Sequence, residues 1–457
     1  MVIHRQMLIL TIGCIFFAAV WAGTAAEQCV SLEPTGVNPE PIEVPTGSAY
    51  PTFPTEESIL LDLRNRQNTV ELRKHAWSVY AGIVRDSSRS GVPVWETWYL
   101  KCDVFSNLAS DPSCQALRAR KDERRGAFFM EVPPELSGLP AGQKTVATTI
   151  FFNKEAGRHI LDRQLWCQKA LCDLNGNLDK LHAPQAERMI PPFPRRSIVV
   201  KAIWPDDPVK PGDKIPVWNA LWPTTSGETH VPNSWPDSDR LTLENPSIPC
   251  QLPPSGNRVS ISCFYTIPTG NGYWILLGLH IMTKEVSGWT WSTFWWHPRP
   301  DVGRYAAERP DEQVISKGCW RNYLMDTTLS TDTPYEPNPC NWWEGAGCGK
   351  KVMFNPYLEA GKKDGIISNC VGCHQKALFK PQGFADQGVT RGKIPLEDSY
   401  FSGAVTTDYL WSVSENAYGT LPAFPTMVLF SRNTAPQTSP PSNSRQRRLG
   451  GQKAAGR

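Results

Sequence analysis

The sequence predicts an α+β chain of several domains, with a β-rich, antiparallel, sandwich-like body held by disulfides ahead of a small α-helical domain. Three observations point there. The 457 residues exceed what a single core usually serves. Hydrophobic residues at 40% and charged residues at 20% suffice for packed cores, which excludes wholesale disorder, collagen and coiled coil. Finally, 34 Gly and 41 Pro break the chain into short elements with long connections.

The elements follow in order. Residues 1–26 read as an export signal: Arg5 precedes the uncharged run Met7 to Ala22, and Thr24-Ala25-Ala26 supplies small residues for cleavage. The apolar run is shorter than the ~20 residues of a membrane span, so membrane association is expected only if this segment is retained. Cys14 lies within it and leaves with it. Residues 27–140 read as an irregular leader plus a helical segment, in which Leu72, Ala76, Val79, Tyr80 and Ile83 repeat as one helix face. The aromatic stretch Trp95 to Tyr99 and a polar loop holding Cys102 and Cys114 follow.

The β-rich domain is expected over 141–345. Val146 to Phe152 reads as a strand and His159 to Asp173 as a helix carrying Cys167 and Cys172. Ser197 to Trp204 is β-branched. Tyr273 to Lys284 is almost continuously apolar, as in a strand buried on both faces. Trp289 to Trp296 alternates, with Trp289, Trp291, Thr293 and Trp295 on one side and Thr290, Ser292, Phe294 and Trp296 on the other. Alternating aromatics of this kind usually pack a core or a domain interface. The other readings join the four tryptophans of this run with Trp342 and Trp343, as a sugar-stacking platform or as a wall against the edge of a bound cofactor. The small helical domain is expected over 346–431, and 432–457 as a disordered basic tail.

Charge follows the same division. The formal net charge is +3, but the tail holds six basic side chains and no acid, and the signal adds Arg5. Without these seven the body stands at −4, which gives no basic surface for nucleic acid.

The chemistry lies at Cys370-Val371-Gly372-Cys373-His374. C-x-x-C-H is the attachment signature of a c-type haem: two thiols one helical turn apart add to the two vinyl groups, and His374 becomes the proximal iron ligand. The competing readings are a structural disulfide, a redox dithiol and half of a zinc site. A redox dithiol lacks its βαβ context, and no second C-x-x-C or C-x-x-H pair completes a tetrahedral zinc site. One covalently attached haem c is therefore the expected cofactor, and the helical domain is expected to be cytochrome c-like. The distal ligand stays open between Met427, in a Pro-rich loop, the histidines His280 and His297, and an open or water-bound position. His280 in an apolar strand reads more readily as a core imidazole, and His297 before Pro298 as exposed.

Of 13 cysteines, one falls in the signal and two in the motif, leaving ten for bridges in an oxidising compartment. Cys102 with Cys114, Cys250 with Cys263 and Cys340 with Cys348 are the expected local pairs. Cys167 and Cys172 suit no bridge within one regular helix, so either the helix breaks or each pairs elsewhere. Gly345 to Lys350 lacks the first Gly and the final Ser or Thr of a phosphate loop, and neither H-E-x-x-H nor G-x-S-x-G occurs.

Together, Gly278-Leu279-His280, the Trp289 to Trp296 run, Trp320 to Asp326, Asn355 to Ala360 and Ser368 to His374 resemble a family of exported bacterial monohaem cytochrome c proteins with a long disulfide-containing N-terminal region. The similarity spans about Ile198 to Tyr409, with weaker echoes at Trp95 to Trp98. It implies haem binding through Cys370, Cys373 and His374 and electron transfer; an electron carrier needs a redox partner protein, and the export signal sets the expected location as periplasmic or secreted. The alternative is a peroxidase-like haem oxidoreductase with an open distal iron site and a substrate-binding β domain. A weaker third reading is a glycan-binding module built on the tryptophans.

Overall fold

The computed structural model describes residues 29, 34, 36–89, 91–105, 108, 114–115, 146–218, 240–254, 256–315, 318–331, 352–361, 365, 368–381 and 392–416. Helices α1 (Glu57–Asn65) and α2 (Thr69–Val84) come first. α2 begins where the Asn68 side chain accepts the Glu71 N–H, which satisfies an orphan amide of the first turn. The periodicity predicts one buried face, yet Leu72, Arg73 and every residue from His75 to Val84 are buried. α2 is thus an interior helix. Gly82 permits this, because a Cβ there would meet Ile42 Cγ1 at 2.7 Å.

Strand β1 (Tyr99–Leu100) follows, then β2 (Val146–Phe152) over the span the sequence predicts. The helix expected at 159–173 is instead two helices, α3 (Lys154–Asp162) and α4 (Gln168–Lys180). The break has local causes: Gln164 has φ 51°, and Cys167 is extended and bridged to Cys29. Next come β3 (Ile198–Pro205), β4 (Lys214–Pro216), β5 (Arg240–Glu244), β6 (Arg258–Ser260), β7 (Thr266–Thr269), β8 (Gly272–Ile275), β9 (Gly278–Thr283), β10 (Thr290–Trp296) and β11 (Tyr323–Thr328).

The main sheet has six strands in the order β1-β2-β3-β9-β10-β11, antiparallel throughout. The apolar run expected as one strand is shared between two sheets: β8 pairs with β7, and β9 enters the main sheet between β3 and β10. Leu276 N–H bonds the Tyr265 carbonyl and Leu277 N–H the Ile203 carbonyl, so the transfer takes two residues.

All seven residues of β10 are buried, so both faces of the sheet are covered. On one face Phe294 stacks on Tyr80 of α2 at 4.3 Å and meets Trp77 edge-on at 5.2 Å. The other face, carrying Trp291 and Thr293, receives Asn355 and His374. The body is β-rich and disulfide-containing as expected, but its covering layers are helix and irregular chain. The remaining sheets among the described residues have two or three strands.

The C-terminal part holds α5 (Cys370–His374), β12 (Leu378–Phe379), β13 (Val405–Thr406) and α6 (Trp411–Asn416). Cys370, Val371, Phe379, Val405, Leu410 and Val413 belong to the same hydrophobic cluster as the sheet and α2. A separate small α-helical domain of the cytochrome c kind is therefore not seen among the described residues. The helices there are five and six residues long, and among the described residues there only Leu378, Phe401 and Ala404 form a small core of their own.

Among the described residues three disulfides form, Cys29–Cys167, Cys102–Cys114 and Cys250–Cys263. The two local pairs are those expected from spacing. Cys172 and Cys319 carry no bridge, and Cys340 and Cys348 lie outside the described residues, as do 1–28 and the basic tail. No helix among the described residues is long and apolar enough to cross a membrane.

Candidate functional site

The motif is set up by the segment before it. Met353 bridges Asn369 in parallel fashion, and Met353 N–H bonds the Ser368 carbonyl at 2.9 Å. The Asn369 side chain then accepts the N–H groups of Val371 and Gly372, which starts the single turn of α5. Cys373 N–H bonds the Asn369 carbonyl and Gln375 N–H that of Val371. Helical geometry at i, i+3 places the two cysteines on one side of the turn. Gln375 locks its exit by donating to the carbonyls of Gly372 and Gly392 and accepting from Ile394 N–H.

Cys370 is 8% exposed, its Sγ 3.7 Å from the Met353 carbonyl, and Cys373 is half-buried. No disulfide joins them, although three other pairs are bridged. Burial pushes the Cys370 thiol well above its ordinary value, and Glu359, Cys373 and Asp326 push the same way. Among the described residues no three His, Cys, Asp or Glu side chains gather as a metal-holding group.

His374 Nδ1 lies 2.9 Å from the Tyr409 carbonyl oxygen. A carbonyl only accepts, so Nδ1 carries the hydrogen and the lone pair sits on Nε2. The Trp291 ring packs at 4.5 Å from the imidazole, tilted by 49°. Beneath the motif, Asn355 Nδ2 donates to Thr293 Oγ1 at 2.9 Å and to the Phe294 carbonyl at 3.0 Å. This close approach requires Gly278, where a Cβ would lie 2.7 Å from the Phe294 carbonyl oxygen.

The other sequence candidates separate. His280 pairs with Thr293 across the β9–β10 ladder, so it shares the motif's face, and its Nε2 lies 3.2 Å from Glu359. His297 is half-buried, whereas the sequence suggests exposure: burial lowers its pKa to about 4, and its Nδ1 accepts the Arg299 N–H. Met427, Trp342 and Trp343 lie outside the described residues. Trp289, Trp291, Trp295 and Trp296 are at most 5% exposed, so these four present no face on which a sugar could stack; Trp291 serves both as core and as a wall beside His374.

Sequence reading misses Tyr409, Asp408, Lys284 and Glu359. Lys284, a charge ending an apolar strand, is the one local signal among them. No family model, curated protein or solved structure matches this chain.

Proposed function

We propose that this chain is an exported c-type cytochrome that exchanges single electrons with a redox partner protein. Cys370 and Cys373 would hold one haem by thioethers and His374 Nε2 would bind its iron; when bound, the haem supplies reversible one-electron chemistry. The observation that carries this reading is the His374–Tyr409 hydrogen bond, which engages Nδ1 and so suits a proximal histidine that would bind iron through Nε2. Cys370 and Cys373 add support, because they lie one helical turn apart with no disulfide between them.

The chain's own groups perform the remaining tasks. Asn369 shapes the turn that carries both thiols, Trp291 excludes water from one side of the imidazole, and the sheet beneath supplies a rigid floor. Disulfides support export to an oxidising compartment, periplasmic or extracellular. Met427 is the proposed distal ligand.

The test is the ferric and ferrous absorption spectrum of the purified mature protein made with haem-maturation machinery, followed by denaturing electrophoresis with haem staining. The expected result is covalent haem that Cys370→Ala and Cys373→Ala weaken, and a thioether charge-transfer band that Met427→Ala removes. A protein with no haem spectrum refutes the proposal, and high-spin iron that binds peroxide readily moves the assignment to the peroxidase-like oxidoreductase.

A further inference from the structure

Asp408 and Tyr409 both have positive φ, 49° and 67°. Residues with a Cβ rarely adopt this region singly, and two in succession need outside restraint. Tyr409 is also the residue whose carbonyl receives His374 Nδ1, so the strained turn sits at the point that orients the candidate ligand.

The restraint is a buried clamp on Asp408. Its carboxylate lies 2.6 Å from Lys284 Nζ, the two side chains being 1% and 7% exposed. The other carboxylate oxygen accepts the Phe193 N–H at 3.0 Å, and the Asp408 carbonyl accepts Trp289 Nε1 at 3.0 Å. Lys284 also donates to the Ser287 carbonyl. Three stretches, the end of β9, the β9–β10 turn and the chain entering β3, therefore converge on the turn before α6. On the near side, Thr407 N–H bonds the Ala377 carbonyl, tying the same turn to the chain leaving the motif.

A buried carboxylate and ammonium are costly to desolvate, and a pair of this kind gives less stability than apolar residues of similar volume. Its return here is geometric. We infer that Asp408 and Lys284 are a positioning pair: by clamping a strained turn to the sheet they aim the Tyr409 carbonyl at His374 Nδ1 and so set the tautomer and donor strength of Nε2. An imidazole that donates through Nδ1 is the stronger ligand through Nε2, which stabilises the ferric over the ferrous state. The consequence for iron rests on the haem reading; the aim of the carbonyl does not.

The test separates the two. In the full chain carrying Cys370→Ala and Cys373→Ala, 15N-labelled at histidine and assigned through His374→Gln, NMR reads the His374 tautomer without haem. Asp408→Asn is expected to lower the Nδ1-H to Nε2-H ratio by about tenfold, the loss of one ordinary hydrogen bond. In the haem-loaded chain the same substitution is expected to lower the ferric to ferrous ratio at fixed ambient potential by about tenfold, 59 mV for one electron. Glu285→Gln, which breaks a buried pair with His75 on the opposite face of the sheet, is the control for simple destabilisation and is expected to move neither ratio. Where Asp408→Asn does not fold, Asp408→Asn with Lys284→Met, which leaves no buried charge unpaired, is expected to show the same two shifts. An unchanged tautomer ratio in the folded variant, or equal shifts from Glu285→Gln, overturns the inference whether or not haem binds. A shifted tautomer in a chain that never acquires haem upholds it and refutes the cytochrome reading alone.

Discussion

Glu285 is a second buried carboxylate, and its removal gives the most direct test of how the helical layer is held to the sheet. The side chain is fully buried; one oxygen accepts the Thr55 N–H at 2.6 Å, the other accepts Thr283 Oγ1 at 2.5 Å, and His75 Nε2 of α2 lies at 3.1 Å. Burial alone would raise its pKa, but His75, Thr283 and the Thr55 amide prevail and hold it below the ordinary glutamate value. Glu285→Gln keeps the volume and one acceptor for Thr55, and loses the charge in the bonds to His75 and Thr283. Bonds to charged groups contribute about 1.5–3 kcal/mol each, and breaking a buried pair costs about 3–5 kcal/mol, so a loss of about 3–5 kcal/mol is expected at pH 7. Urea titrations followed by circular dichroism and tryptophan emission measure it. The pH dependence has a definite sign: a depressed carboxylate contributes stability above its unfolded pKa of about 4.3 and loses it as pH falls through the lower folded value. The gap between the native chain and Glu285→Gln should therefore close below about pH 4. A loss under about 1 kcal/mol at pH 7, or a gap that does not change on acidification, refutes the assignment of Glu285 as a charged anchor.

Three further outcomes are expected. Removing the Cys29–Cys167 bridge by double Ser substitution should destabilise by about 5 kcal/mol in the loop-entropy model, against about 3 kcal/mol for Cys250–Cys263, because the bridges span 138 and 13 residues; guanidinium titrations of the two variants measure the difference. Gly278→Ala should cost about 1–3 kcal/mol by overpacking and displace Asn355, read as faster amide exchange in residues 352–361 than in β2. Phe294→Ala should cost about 3–5 kcal/mol, since the ring is fully buried and stacked on Tyr80; a thermal midpoint within error of the native chain would contradict the stacking of α2 on the sheet.

What could be read from the sequence divides along range of interaction. β2 and β10 were legible because β-branched and aromatic residues in a short run carry their own signal. α2 was legible as a helix but not as a buried one, since what covers it comes from Ile42 and from Phe294 in the sheet, which no local period encodes. The helix expected at 159–173 failed at Cys167, whose bridge to Cys29 spans 138 residues and overrides local propensity. The motif was legible because its chemistry is encoded in five consecutive residues. Its support was not: Tyr409 lies 35 residues from His374, and Asp408 lies 124 from Lys284. These partners are paired only by the topology.

The burial of Cys370 also imposes an order of events. A thiol 8% exposed, under the Met353 carbonyl and above the sheet, is reachable only while the chain after residue 352 is still open. On the proposed haem reading, attachment would have to precede the docking of this segment on the sheet. Mutations that speed docking would then shorten the interval for modification, and a more stable native state could yield less of the modified product.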